Sequence, residues 1–225
     1  MLSENSLQFL EDLKANNNRD WFLANKTRYE VYKEDYHQLI GAFLNVLKPL
    51  DASLELLEIK NCTFRINRDI RFSKDKSPYK RHMGIWMNTN SSGVNAPGYY
   101  IHIEKGASFV AGGLYSPEAS DLKKIRKEIA FFYEDLKEIT NDANFKKYFE
   151  GFDRTESNAL KNAPKDYEKD HPAIEFLKLK NFTVSRKIAD KDLFDKDFVN
   201  KTAKTLIAIK PLIAFLNRGL TSEES

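Results

Sequence analysis

The sequence predicts an α+β fold: a largely antiparallel sheet with helices from both the N-terminal and C-terminal parts packed on it. Three observations carry this. Apolar residues recur at a helical period in the first fifty positions, alternate at period two through the middle of the chain, and return to a mostly helical period in the second half. Helices that bracket a run of strands favour segregated layers over the strict alternation of a doubly wound fold.

Leu7, Leu10 and Leu13 define a first short amphipathic helix, which the Asn16-Asn17-Asn18 run ends, with Asn18 placed to cap the next. From Trp21, the series Phe22, Tyr29, Tyr32, Tyr36, Leu39, Ile40, Phe43 and Leu47 marks one long or slightly broken helix that stops at Pro49. Its aromatic residues are expected to pack in the core. Strands are expected over 63–66, 84–88, 99–104 and 108–114, the last two joined at Lys105-Gly106, where glycine accepts a positive φ. The lone Cys62 precedes the first of these and reads as a buried strand thiol without a disulfide partner. An Asn/Ser/Gly/Pro stretch over 89–97 reads as an exposed loop.

Ser116-Pro117-Glu118 has the form of a helix start, with serine as cap, and predicts a helix over 121–139. A shorter helix is expected over 144–149 and another from His171-Pro172 to Leu179, capped by Asp170. A strand follows over 182–188, then a closing helix over 194–216 that Pro211 can bend.

At 225 residues, one domain spanning 1–225 is the expected organisation. With 41% hydrophobic residues, 16 Phe and 10 Tyr, the chain has the composition of a packed protein rather than a disordered one. No run reaches the roughly 18 apolar residues of a membrane span. The first eighteen positions lack a basic and then apolar leader pattern, so a cytoplasmic protein without membrane contact is expected. Oligomeric state is not legible.

The net charge of +3 is unevenly placed. Residues 60–82 hold eight Lys or Arg against two Asp, a local +6 that leaves −3 for the remainder. An anionic partner feels that local excess within a screening length of about 8 Å. Gly-rich nucleotide signatures are absent, and Gly112-Gly113 reads as a bend or bulge at a strand end. His37, His82, His102 and His171 show no i+2, i+3 or i+4 pairing, so neither a zinc set nor a cofactor is expected. Tyr100, His102 and Glu104 share one strand face. That face can offer acid/base groups, but reads first as an exposed polar face.

Within the basic segment, a strand continuing from Thr63 would set Arg65, Asn67, Asp69 and Arg71 on one face, and the chain beyond Phe72 would form a loop. Guanidinium forks clamp phosphate or carboxylate, which makes Arg65, Arg68 and Arg71 the expected clamps, with Lys74, Lys76 and Lys80 adding point charges. Asp69 and Asp75 can hold those cations in place. Asp69 and Tyr79 are the acid/base candidates. Asp69 is the better counter-ion, and Tyr79 the better group for proton transfer or ligand contact. The competing reading is a solvated loop paired with itself.

Arg65, Arg68-Asp69, Arg71-Phe72, Asp75-Lys76 and Tyr79 together spell R-x-x-R-D-x-R-F followed by [D/N]-K-x-x-Y. In this the chain resembles the bacterial family called domain of unknown function 2461, over most of its length. The resemblance implies that the motif is a family trait, and implies no activity, cofactor or catalytic residue.

Three readings follow. The first is a binder of, or enzyme acting on, a small phosphorylated or carboxylated ligand. The second is a nucleic-acid module in which the cations contact phosphates and Tyr79 or Trp86 stacks on a base. The third is an adaptor for acidic partner surfaces. The first ranks ahead because a dedicated nucleic-acid binder usually has a broad basic face.

Overall fold

The computed structural model describes residues 2–88 and 96–222. Among these residues the chain forms ten α-helices and a four-stranded antiparallel sheet, an α+β architecture. The strands are β1 (Met83–Asn88), β2 (Gly98–Ile103), β3 (Phe109–Leu114) and β4 (Phe182–Lys187), paired in the order β1-β2-β3-β4. All four agree with the period-two segments to within a residue, apart from the expected strand over 63–66. Of the expected loop over 89–97, only Ala96 and Pro97 lie within the described residues. No described helix is long and apolar enough to cross a membrane.

The chain divides into two compact units. The first comprises 1–87, 100–110 and 187–204; the second comprises 88–99, 111–186 and 205–225.

In the first unit, α1 (Glu4–Ala15) begins at the Ser3 cap, where the Ser3 and Ser6 hydroxyls both donate to Asp35, and ends at Asn16. The expected long helix is two pieces, α2 (Arg19–Ala24) and α3 (Lys26–Leu47), separated at Asn25. Asn18 caps α2, its side-chain oxygen accepting from Trp21 N–H at 2.9 Å. The break explains why the aromatic series is only partly core. Tyr32, Tyr36 and Phe43 on α3 are buried, whereas Trp21, Phe22 and Tyr29 are half-buried. Phe43 meets Phe198 edge-on at 5.9 Å. At the β2–β3 turn Gly106 adopts φ +73°, and its N–H bonds the Asp190 carboxylate.

The strand expected over 63–66 does not form. Ile59–Cys62 is instead a single helical turn, α4, which Thr63 closes by donating its hydroxyl to Ile59 O at 2.6 Å. Cys62 is therefore a buried helical thiol, pushed up to about 11 by desolvation. Only isolated bridges, Thr63 to Ile85 and Asn67 to Tyr79, mark the extended chain beyond it.

In the second unit the helix expected over 121–139 is α5 (Ala119–Phe131) and α6 (Tyr133–Asn141), broken at Phe132, over whose ring the Arg218 guanidinium sits at 4.5 Å. Ser116 is not the cap of α5. It takes φ +50° and gives its N–H to Asn181 Oδ1, and Glu118 stands at the N-cap. After α7 (Ala143–Tyr148), the short α8 (Ile174–Leu177) starts from Ala173, whose N–H is taken by His171 Nδ1 at 3.0 Å, so Asp170 is not its cap. The closing helix is also two: α9 (Phe198–Ile207) and α10 (Lys210–Thr221), with Pro211 in the first turn of α10 where its missing N–H costs nothing. Gly113 has φ +117°, and a Cβ there would lie 2.0 Å from Phe182 O. It permits close approach of β3 and β4.

Candidate functional site

The basic motif hangs from β1 through Tyr36 of α3. Its buried hydroxyl donates to Gly84 O and accepts Phe64 N–H at 3.0 Å, which pins the chain entering the motif against the strand. The motif then runs out and back as a narrow antiparallel excursion. Lys80 N–H bonds Ile66 O at 2.8 Å and Arg68 N–H bonds Pro78 O at 2.9 Å. Pro78 has no N–H to return, so the ladder stops there and residues 69–77 form the tip. The return limb is held by Asn17, whose amide both accepts from Tyr79 N–H and donates to Tyr79 O at 3.0 Å. A side chain thus imitates the edge of a strand. The asparagine run, read from sequence as a helix terminator, has this second task.

The expected clamp residues do not converge on one point. Arg68 is half-buried and fastens the tip, reaching Asp75 at 2.8 Å, Ser77 O at 2.9 Å and Ser73 Oγ at 3.3 Å. Arg71 is 77% exposed and closes on Asp69 through Nε at 3.0 Å and Nη2 at 2.7 Å, which holds the Asp69 carboxyl below its usual range. Lys76 donates to Ile70 O at 3.0 Å, and Lys74 is exposed. Tyr79 is turned inward, its ring stacked on Phe22 at 4.1 Å. Of the expected clamp residues and lysines, Arg65 and Lys80 line a cavity. It has a volume of about 90 Å³, and Lys33 and His82 share its lining. Tyr29, Tyr32 and Tyr36 add an aromatic wall, and no carboxylate lines it. Lys80 is anchored to Arg65 O at 2.7 Å, and its pKa is lowered by burial and by the Arg65 charge. Burial likewise pushes Tyr36 up to about 12.

Beside this cavity lies the polar face of β2. Tyr100 OH is 3.1 Å from His102 Nδ1, His102 Nε2 is 3.3 Å from Glu104 Oε2, and Lys14 Nζ is 3.2 Å from Glu104 Oε1. The His82 ring lies 4.2 Å from that of His102, and Phe109 stacks on the His102 ring at 4.8 Å. The expectation of an exposed face needs correction: the His102 and Glu104 side chains are 13% and 20% exposed. Desolvation pushes His82 down to about 4, and the His102 beside it adds to the effect. Burial also lowers His102, against the opposing pull of Glu104. Burial would raise Glu104, but its bonds to His102 and Lys14 outweigh that and hold it low. Tyr100 is pushed up to about 12 by burial.

The family model described as a conserved hypothetical protein (DUF2461) matches residues 5–215. The chain belongs to this family. No curated protein and no solved structure matches it. The matched span of this DUF2461 chain includes the motif, the cavity and the β2 face. Sequence reasoning missed Lys33 and Asn17 because both act across long separations, and set aside His82 and His102 because they lie 20 positions apart. Their convergence comes from the sheet. The alternation Tyr100, His102, Glu104 was the one local signal for the polar face.

Proposed function

We propose that this protein binds a small anionic ligand, phosphorylated or carboxylated, in the cavity lined by Arg65, Lys80 and Lys33. The observation that supports this reading is the composition of that lining: three cationic side chains and three tyrosines with no carboxylate among them, Glu30 outside the lining pairing with Lys33 at 2.8 Å. A cavity of about 90 Å³ has room for several waters or for the oxoanion head of a ligand. Lysine and arginine hydrogen bonds to such a head are charge-assisted and stronger than neutral ones. The tyrosines supply apolar wall with hydroxyls at the tips.

Calorimetric titration with inorganic phosphate, followed by a panel of phosphorylated and carboxylated compounds, tests this. Saturable binding of one compound class is expected. Arg65→Ala and Lys80→Ala should each weaken it about tenfold or more, the loss of one charge-assisted bond. Arg71→Ala, whose guanidinium closes on Asp69 away from the cavity lining, should leave it unchanged. Equal affinity in all three variants would remove the cavity as the site.

One feature favours a nucleic-acid reading as the alternative. Phe72 is 95% exposed at the tip of the motif with the Arg71 guanidinium 5.8 Å from its ring, the pairing of stacking face and cation that single-stranded nucleic acids use.

A further inference from the structure

We propose that His82, His102 and Glu104 form a binding site for one divalent transition-metal ion, with zinc as the best match. One ligand atom from each residue lies within 4.8 Å of the other two. Two imidazoles and one carboxylate are the donor set of many catalytic zinc sites, and imidazole nitrogen selects against calcium and magnesium, which prefer all-oxygen shells.

The groups behind the donors favour this further. Metal-bound histidines give their second ring nitrogen to a hydrogen-bond partner, which fixes the tautomer. Here Tyr100 OH stands at 3.1 Å from His102 Nδ1, leaving Nε2 directed at Glu104 Oε2. Lys14 occupies the other carboxylate oxygen of Glu104, leaving Oε2 on the side of the imidazole. The strand end is itself pinned, with Ser108 Oγ accepting Glu104 N–H at 3.1 Å and donating to Glu104 O at 2.8 Å. Phe109 packs flat against the His102 ring. His102 is therefore held by β2 itself, while Glu104 is the residue after β2 and His82 the residue before β1.

This site does not rest on the anion reading, although His82 lines both. The test is run in phosphate-free buffer so that the two stand or fall separately. Full-length protein stripped with a chelator is titrated with Zn²⁺ against a competing chromophoric chelator. One ion per chain bound in the micromolar range or tighter is expected. His82→Ala, His102→Ala and Glu104→Gln should each weaken binding by more than tenfold, and Tyr100→Phe by about 10-fold, the lower end for loss of an outer partner. Glu104→Gln keeps the side chain's shape, so it decides the question if a histidine variant does not fold by circular dichroism. No saturable binding in the micromolar range, or wild-type affinity in a folded Glu104→Gln protein, would overturn the proposal.

Discussion

Arg68 and Arg71 stand three positions apart in one motif and have opposite physical circumstances. Arg68 is three-quarters covered and donates to a carboxylate, a carbonyl and a hydroxyl on the return side of the tip. Arg71 lies in solvent and touches a carboxylate two residues away. Arg68→Ala should therefore lower stability by about 1 to 2 kcal/mol, whereas Arg71→Ala should leave it nearly unchanged. Chemical denaturation of the two variants compares them directly, and equal effects would contradict this assignment. The acid facing Arg68 adds a pH signature. Asp75 is held down to about 2 from an ordinary 3.8, first by the Ser77 hydroxyl and N–H and then by Arg68. A carboxyl lowered on folding stabilises above its ordinary value and loses that contribution as pH falls through the lowered one. The gap in Tm between the wild type and Asp75→Asn should thus narrow as pH is taken from 4 to 2; a constant gap would refute it. At this scale the sequence was legible in kind. The acids interleaved with Arg and Lys announced internal pairing, but which cations were engaged and which stood at the cavity depended on Pro78 ending the ladder.

Element type followed from periodicity, whereas element breaks did not. The strands at β1 to β4 carried alternation dense enough to read, and the asparagine cap of α2 is local chemistry that the sequence states outright. The break at Phe132 has no proline or glycine to signal it, since what sits over that ring is Arg218 from 86 positions away. The false strand over 63–66 has a similar origin. Its alternation is real, but Tyr36 takes the Phe64 N–H that a ladder would have used. Three substitutions test the packing that replaced these local rules. Phe43 is fully buried against Phe198, so Phe43→Ala should cost about 3 to 5 kcal/mol in denaturant unfolding. An unchanged midpoint would mean that this side of α3 is not core. Gly113→Ala places a methyl against Phe182 O in a backbone region that side chains avoid, and should cost more than about 1 kcal/mol. Gly106→Ala shares the positive φ but has open space around it, so it should cost less, and the reverse order would show that contact with Phe182 is not what fixes glycine at 113.

Over the whole molecule, charge separates the anion reading from the nucleic-acid one. The net +3 conceals +6 over residues 60–82, yet much of that excess is engaged. Lys60 pairs with Glu58, Arg68 with Asp75 and Arg71 with Asp69, while Lys76 and Lys80 donate to backbone carbonyls. Arg65, Lys74 and Arg81 remain as the cations of that segment outside these bonds. Each phosphate contact on a single strand releases counterions and adds about −0.7 to the slope of log affinity against log salt, so three contacts give about −2. Proteins built for nucleic acid make six to ten such contacts and show slopes beyond about −4. Binding of a labelled single-stranded oligonucleotide, followed from low to physiological salt, should therefore be weak with a slope no steeper than about −2. Phe72→Ala should leave it nearly unchanged if the exposed ring stacks on no base. A slope beyond about −4 together with loss of binding in Phe72→Ala would move the function from the cavity to the tip of the motif, with Arg71 and Phe72 as its contact surface.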